Sequence, residues 1–132
     1  MNMRKLFQII ALCMFAFSAY SAVPVSNLVI NCRTDKHTIQ IDKFQESYRY
    51  KSWNLPKSLL EKPDMEVSNG TLEVEGTGAC SSQIWTFTKG AVKFVMDNGI
   101  ACLEKAPPVG TVANLVVLIK GEEKTRLFCK KY

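Results

Sequence analysis

Gln83-Ile84-Trp85-Thr86-Phe87-Thr88 and Ala91-Val92-Lys93-Phe94-Val95-Met96 are two alternating runs joined by the turn dipeptide Lys89-Gly90. Large residues at every second position put one set of side chains on one face of a strand. A two-residue turn at Lys89-Gly90 pairs Trp85 with Phe94 and Phe87 with Val92, so these four and Met96 share one buried face. The rest of the chain repeats this pattern of short runs and turns.

Upstream, Ser26 to Arg33 and Thr38 to Phe44 flank Thr34-Asp35-Lys36-His37. With Asp35-Lys36 as the turn, Cys32 falls opposite Ile39 and Ile30 opposite Ile41, and Leu28 joins them on a core face. Ser47 to Trp53 alternates again, with Tyr48 and Tyr50 on one side and Arg49, Lys51 and Trp53 on the other. Pro56 and Pro63 exclude a strand from Asn54 to Asp64, which reads as a loop with room for one helical turn at Lys57 to Glu61. Asn69-Gly70 reads as a turn, and Thr71 to Glu75 as a strand with Leu72 and Val74 inward. Downstream, Val112 to Ile119 and Lys124 to Lys130 flank a turn centred on Gly121-Glu122. That register pairs Val116 with Leu127 and puts Leu118, Val116, Leu127 and Cys129 on one face. Seven or eight short strands at even spacing predict an all-β domain, an antiparallel sandwich or a partly open barrel.

Met1-Asn2-Met3-Arg4-Lys5, an apolar run from Leu6 to Phe17 and the small residues Ser18 to Ala22 have the order of a secretory signal peptide. Residues 1–21 are expected to be removed, leaving 22–132 as a single β domain without a transmembrane segment, periplasmic or secreted. Arg4 and Lys5 leave with the signal, so 15 cations face 12 acids and the net charge falls from +5 to +3. That is a solubility charge and not a nucleic-acid footprint.

The mature chain keeps Cys32, Cys80, Cys102 and Cys129. In an oxidising compartment they are expected to form two disulfides. Cys32 and Cys129 lie on core faces of the first and last strands, whereas Cys80 and Cys102 lie beyond the open end of the Trp85/Phe94 hairpin. The pairing 32–129 with 80–102 follows, provided Asp97 to Gly99 is an open loop. A tight turn there would hold Cys80 and Cys102 two strand spacings apart, about 10 Å against a limit of about 7 Å for bridged Cα atoms. With no C-x₂-C pair and one histidine, zinc is not expected.

No catalytic constellation stands out, and no cofactor is expected. His37 with Asp35 reads as a solvated turn, and Glu73 with Glu75 as a solvated strand face. The candidate binding residues are Tyr48, Arg49, Tyr50, Lys51, Trp53 and Asn54, which interleave aromatics with cations. Against this stands a core strand with tyrosines inward and cations outward. Leu59 and Leu60 are a second candidate contact. Together with Leu55 they either cap one end of the core or project to meet a partner, and capping is favoured in so small a domain.

Tyr48 to Asn54, Glu75-Gly76-Thr77-Gly78-Ala79-Cys80 and Ile84-Trp85-Thr86-Phe87 together form a pattern that resembles a group of small exported bacterial proteins of uncharacterised function. The resemblance implies a bacterial envelope setting. In architecture the chain is similar to periplasmic lysozyme inhibitors and secretion-system immunity proteins, which implies a non-enzymatic binding protein with another envelope or exterior protein as partner. A small-ligand or glycan binder is the first alternative, and an unrecognised hydrolase the second. A concave aromatic-lined pocket, as opposed to a filled core, would favour the first alternative.

Overall fold

The computed structural model describes residues 26–131, so the expected signal peptide, residues 1–21, lies outside the described residues. The described residues form eight antiparallel strands, β1 (Ser26–Arg33), β2 (His37–Phe44), β3 (Ser47–Asn54), β4 (Met65–Glu75), β5 (Ser82–Lys89), β6 (Val92–Asp97), β7 (Thr111–Ile119) and β8 (Glu122–Lys130). Each pairs with its neighbour in sequence, and β1 returns to β8 through one pair, Arg33 with Lys130. The sheet is thus a meander curled into a barrel and pinned at one point. The all-β expectation holds, with a partly open barrel in place of a sandwich.

The interior is one cluster containing Ile30, Cys32, Ile39, Ile41, Tyr50, Val67, Trp85, Phe87, Met96, Ala113, Leu115 and Cys129. Tyr50 stacks on Phe94 with ring centroids 4.9 Å apart, and Tyr48 meets Trp85 edge to face at 6.4 Å. Both disulfides have the expected pairing, with Cα atoms 5.4 Å apart for Cys32–Cys129 and 5.5 Å for Cys80–Cys102. β6 ends at Asp97 and an irregular segment leads to β7, which is the open loop that the second pairing needs. Among the described residues no helix is long and apolar enough to cross a membrane.

In β1/β2 the pairs Cys32 with Ile39 and Ile30 with Ile41 are as read, but the register shifts before Ile30, so Leu28 lies opposite Asp42 and is 53% exposed, off the core face where it was expected. Beyond β1, register departs from expectation in three places. In the β5/β6 hairpin the turn is Gly90-Ala91, so Trp85 faces Met96 and Phe87 faces Phe94. That slip of two residues keeps every side chain on its face, and Trp85, Phe87 and Met96 are buried while Val92 is half-buried. In β7/β8 the turn is Lys120-Gly121, and Leu115, not Val116, opposes Leu127. This slip is odd-numbered, so β7 turns Ala113, Leu115 and Val117 inward and not Val116 and Leu118. Left-handed backbone at Lys120 (φ 51°) and Gly121 (φ 80°) suits the two-residue hairpin turn.

The third departure is β4, which begins at Met65 and runs through Asn69-Gly70. Those two residues are a bulge, not a turn: Asn69 has φ 60°, and the β3/β4 register shifts between Tyr48, opposite Gly70, and Tyr50, opposite Val67. Leu72 packs on the core as expected, but Val74, two residues nearer the strand end, is 66% exposed.

Candidate functional site

β3 carries most of the candidate residues, and its alternation separates them. Ser52 opposite Ile39 and Tyr50 opposite Ile41 face the interior, while Arg49 opposite Asp42 and Trp53 opposite Thr38 face outward. Tyr50 belongs to the core and Tyr48 packs against it, so the tyrosines do not form a stacking surface. Burial pushes the Tyr50 phenol up to about 12 despite a hydrogen bond with Ser52, so it stays protonated. Arg49 donates from Nε and Nη2 to the two oxygens of Asp42, at 3.1 and 2.5 Å, and lies 4.2 Å above the Phe44 ring. Its charge is engaged, and Lys51 beside it is half-buried on the same outer face.

Trp53 points outward yet is buried, because the loop from Leu55 to Asp64 folds back over it. Its Nε1 donates to the Glu61 carbonyl at 2.8 Å. The base of the loop is tied where Asn54 N donates to Asp64 Oδ2 at 2.7 Å and Asp64 N to the Ser52 carbonyl at 2.9 Å. No helix forms at Lys57 to Glu61, where Glu61 N donates to the Ser58 carbonyl in a single turn. The expectation that the leucines cap the core fails for two of the three: Leu60 is 98% exposed and Leu59 38%, while Leu55 is half-buried. Trp53 already covers this part of the sheet, so the leucines after it project. A groove lined by Arg33, Thr38, Leu55, Pro56 and Leu59 runs beside them.

A more enclosed feature lies at the seam. β8 leaves β1 after the Arg33/Lys130 pair, and the barrel interior opens between β8 and the β1/β2 turn. The opening is a cavity of about 390 Å³. Tyr50, Phe94, Leu115, Val117, Leu127 and Met65 line its floor and walls, and Lys36, His37, Ser52, Asn54, Asp64 and Thr125 supply its polar groups. Eight-stranded barrels have interiors near the size at which side chains either fill them or leave room for one small ligand. Here the wall is incomplete on one side, and the space remains.

His37 corrects the sequence reading. It is the first residue of β2 and half-buried at this mouth, not a residue of a solvated turn. Its Nδ1 is buried without a hydrogen-bond partner among the described residues. Asp64 is engaged on both oxygens, accepting from Asn54 N and from Lys57 Nζ at 3.0 Å. The bond from Asn54, then that from Lys57, hold its carboxyl below the ordinary carboxylate value. Asp35, the other half of the acid–base pair considered from sequence, is exposed, as are Glu73 and Glu75 on β4. Of the binding and acid–base candidates read from sequence, Tyr50, Asn54 and His37 line the mouth. Phe94, Leu115, Val117, Thr125 and Leu127 come from strands distant in the chain; alternation pointed to Phe94 and Leu127, whereas the expected β7 register turned Leu115 and Val117 outward.

The chain matches no family model, no curated protein and no solved structure.

Proposed function

We propose that this chain is an exported, non-enzymatic binding protein that holds a small molecule in the open mouth of its barrel. One observation carries the reading: an aromatic and aliphatic cavity of about 390 Å³ with a few polar groups at its entrance. Small-molecule sites have this composition and start at about 300 Å³. The non-enzymatic part rests on Asp64, whose oxygens are committed to Asn54 and Lys57, which makes it a weak base. A broad hydrolase screen of the mature protein is expected to find no turnover. Turnover lost on His37→Ala would replace this reading with an enzymatic one.

The test of the cavity is a plug. Thr125 is exposed at the mouth, so Thr125→Trp should fold normally and close the opening. A fragment screen by NMR on the wild type should move the Tyr50 and Phe94 ring resonances, and the plugged variant should lose the response at an unchanged melting temperature. Identical responses in both proteins would sink the cavity reading.

A second reading, contact with another envelope protein in the manner of an inhibitor or immunity protein, is favoured by the projecting Leu59 and Leu60. Apolar side chains at a tethered loop tip are common contact anchors.

A further inference from the structure

Resting on the cavity reading above, we propose that the ligand is an amphipathic anion, an unbranched or ring-bearing apolar body ending in a carboxylate, with its acidic head at Lys36. The body is set by the floor, where Tyr50, Phe94, Leu115, Val117 and Leu127 offer no charge. The sign of the head is set by which charges near the mouth are already committed. Asp64 is bonded to Lys57, Glu122 to Lys124 at 2.9 Å, and Glu123 to Arg126 at 2.7 Å. These three acids are therefore paired with cations of their own, and Asp35, exposed next to Lys36, does not line the cavity. Lys36, which lines the mouth, has no side-chain partner among these pairs, and Lys89 brings its ammonium to 3.7 Å from Sδ of Met65 in the cavity wall.

The cavity lining thus carries the Lys36 ammonium, outside every one of these ion pairs, above an apolar floor. A cationic head would meet Lys36 and Lys89, and a purely apolar ligand would leave both without a counter-ion. Glycans fit less well: the floor has two aromatic rings, but Tyr50 and Phe94 stack on each other and do not present parallel faces to a sugar.

The experiment titrates the mature protein with octanoate, octan-1-ol and octyltrimethylammonium, following the Tyr50 and Phe94 ring resonances and the heat of binding. Octanoate should bind about two- to fivefold more tightly than octan-1-ol at low salt, the range for one solvent-accessible ion pair, and the gap should narrow as salt screens it. Lys36→Gln, at an exposed position, should remove most of the preference for octanoate over octan-1-ol. Equal binding of octanoate and octan-1-ol, or tighter binding of the cation, overturns the anionic head while the cavity reading survives. If none of the three probes moves the Tyr50 and Phe94 resonances, the cavity reading itself fails.

Discussion

A methyl group added to Gly70 would sit 2.2 Å from Cε1 of Phe87, a ring that is itself fully buried. The bulge at Asn69-Gly70 therefore does more than bend β4: it lets the strand pass over the Phe87 ring. Gly70→Ala should destabilise by about 1–3 kcal/mol, the ordinary range for overpacking, with a displaced Phe87 ring resonance. Unchanged urea unfolding would show that the ring has room to move. Trp85→Ala, at the other end of the same aromatic layer, should cost about 3–5 kcal/mol. Asp42 carries the acid sensitivity. Burial raises its carboxyl, but the hydrogen bonds and charge of Arg49, helped by Lys51, outweigh that and hold it below its ordinary 3.8. A depressed carboxylate stabilises the fold above its unfolded value, and the contribution is lost as pH falls through the folded one. Unfolding midpoints should therefore drop below pH 3.8 in the wild type, and Asp42→Asn should flatten that drop while lowering stability at neutral pH. An unaltered acid profile in the variant would assign the sensitivity to other carboxylates.

At the scale of the element, the loop from Leu55 to Asp64 and the β7/β8 hairpin each make a prediction. Leu59→Asp with Leu60→Asp should leave the melting temperature nearly unchanged, because Leu60 is 98% exposed and Leu59 38%. The same protein should fail to capture a protein partner if the loop is a contact surface, and undiminished capture would remove that role. A large fall in melting temperature would restore the leucines to the core. In β7, Leu115→Ala should cost about 2–5 kcal/mol and Val116→Ala far less, since only the former side chain is in the core. Reversed magnitudes would restore the Val116/Leu127 register. These elements also show what alternation can and cannot tell. Apart from the first half of β4, strand positions are legible, and so are both disulfides once Asp97 to Gly99 is allowed to be an open loop, because the cysteines fall on core faces or at a hairpin's open end. The β5/β6 core face survived a two-residue slip, whereas β7 reads as apolar on both faces, so nothing in its own sequence fixes which face turns inward. Asn69-Gly70 reads as a turn because the same left-handed backbone serves a turn and a bulge. Of the site, Tyr50 is visible within an unusual aromatic and cationic run, whereas His37 reads as part of a polar turn because nothing local marks the mouth beside it. The cavity was not visible: it depends on where β8 parts from β1, a geometric fact of the closed sheet with no local signature.

For the whole molecule, the ring is closed by one ladder pair and by the Cys32–Cys129 bond beside it, which spans 97 residues of chain. On the chain-entropy model that bond contributes roughly 5 kcal/mol, against roughly 3 for Cys80–Cys102 with its separation of 22. Replacing Cys32 and Cys129 with alanine should therefore lower the denaturation midpoint more than replacing Cys80 and Cys102, as urea titrations of the two double variants would measure. Equal losses would mean that the ladder pair alone can hold the ring. The meander has a further consequence, in time. Each strand finds its partner next along the chain, so a polypeptide emerging from a channel amino end first can zip seven hairpins in the order in which they appear. The first strand must wait for the last with its outer edge unclaimed, so the interval between the emergence of residue 33 and that of residue 130 is when this protein is most open to pairing with something else.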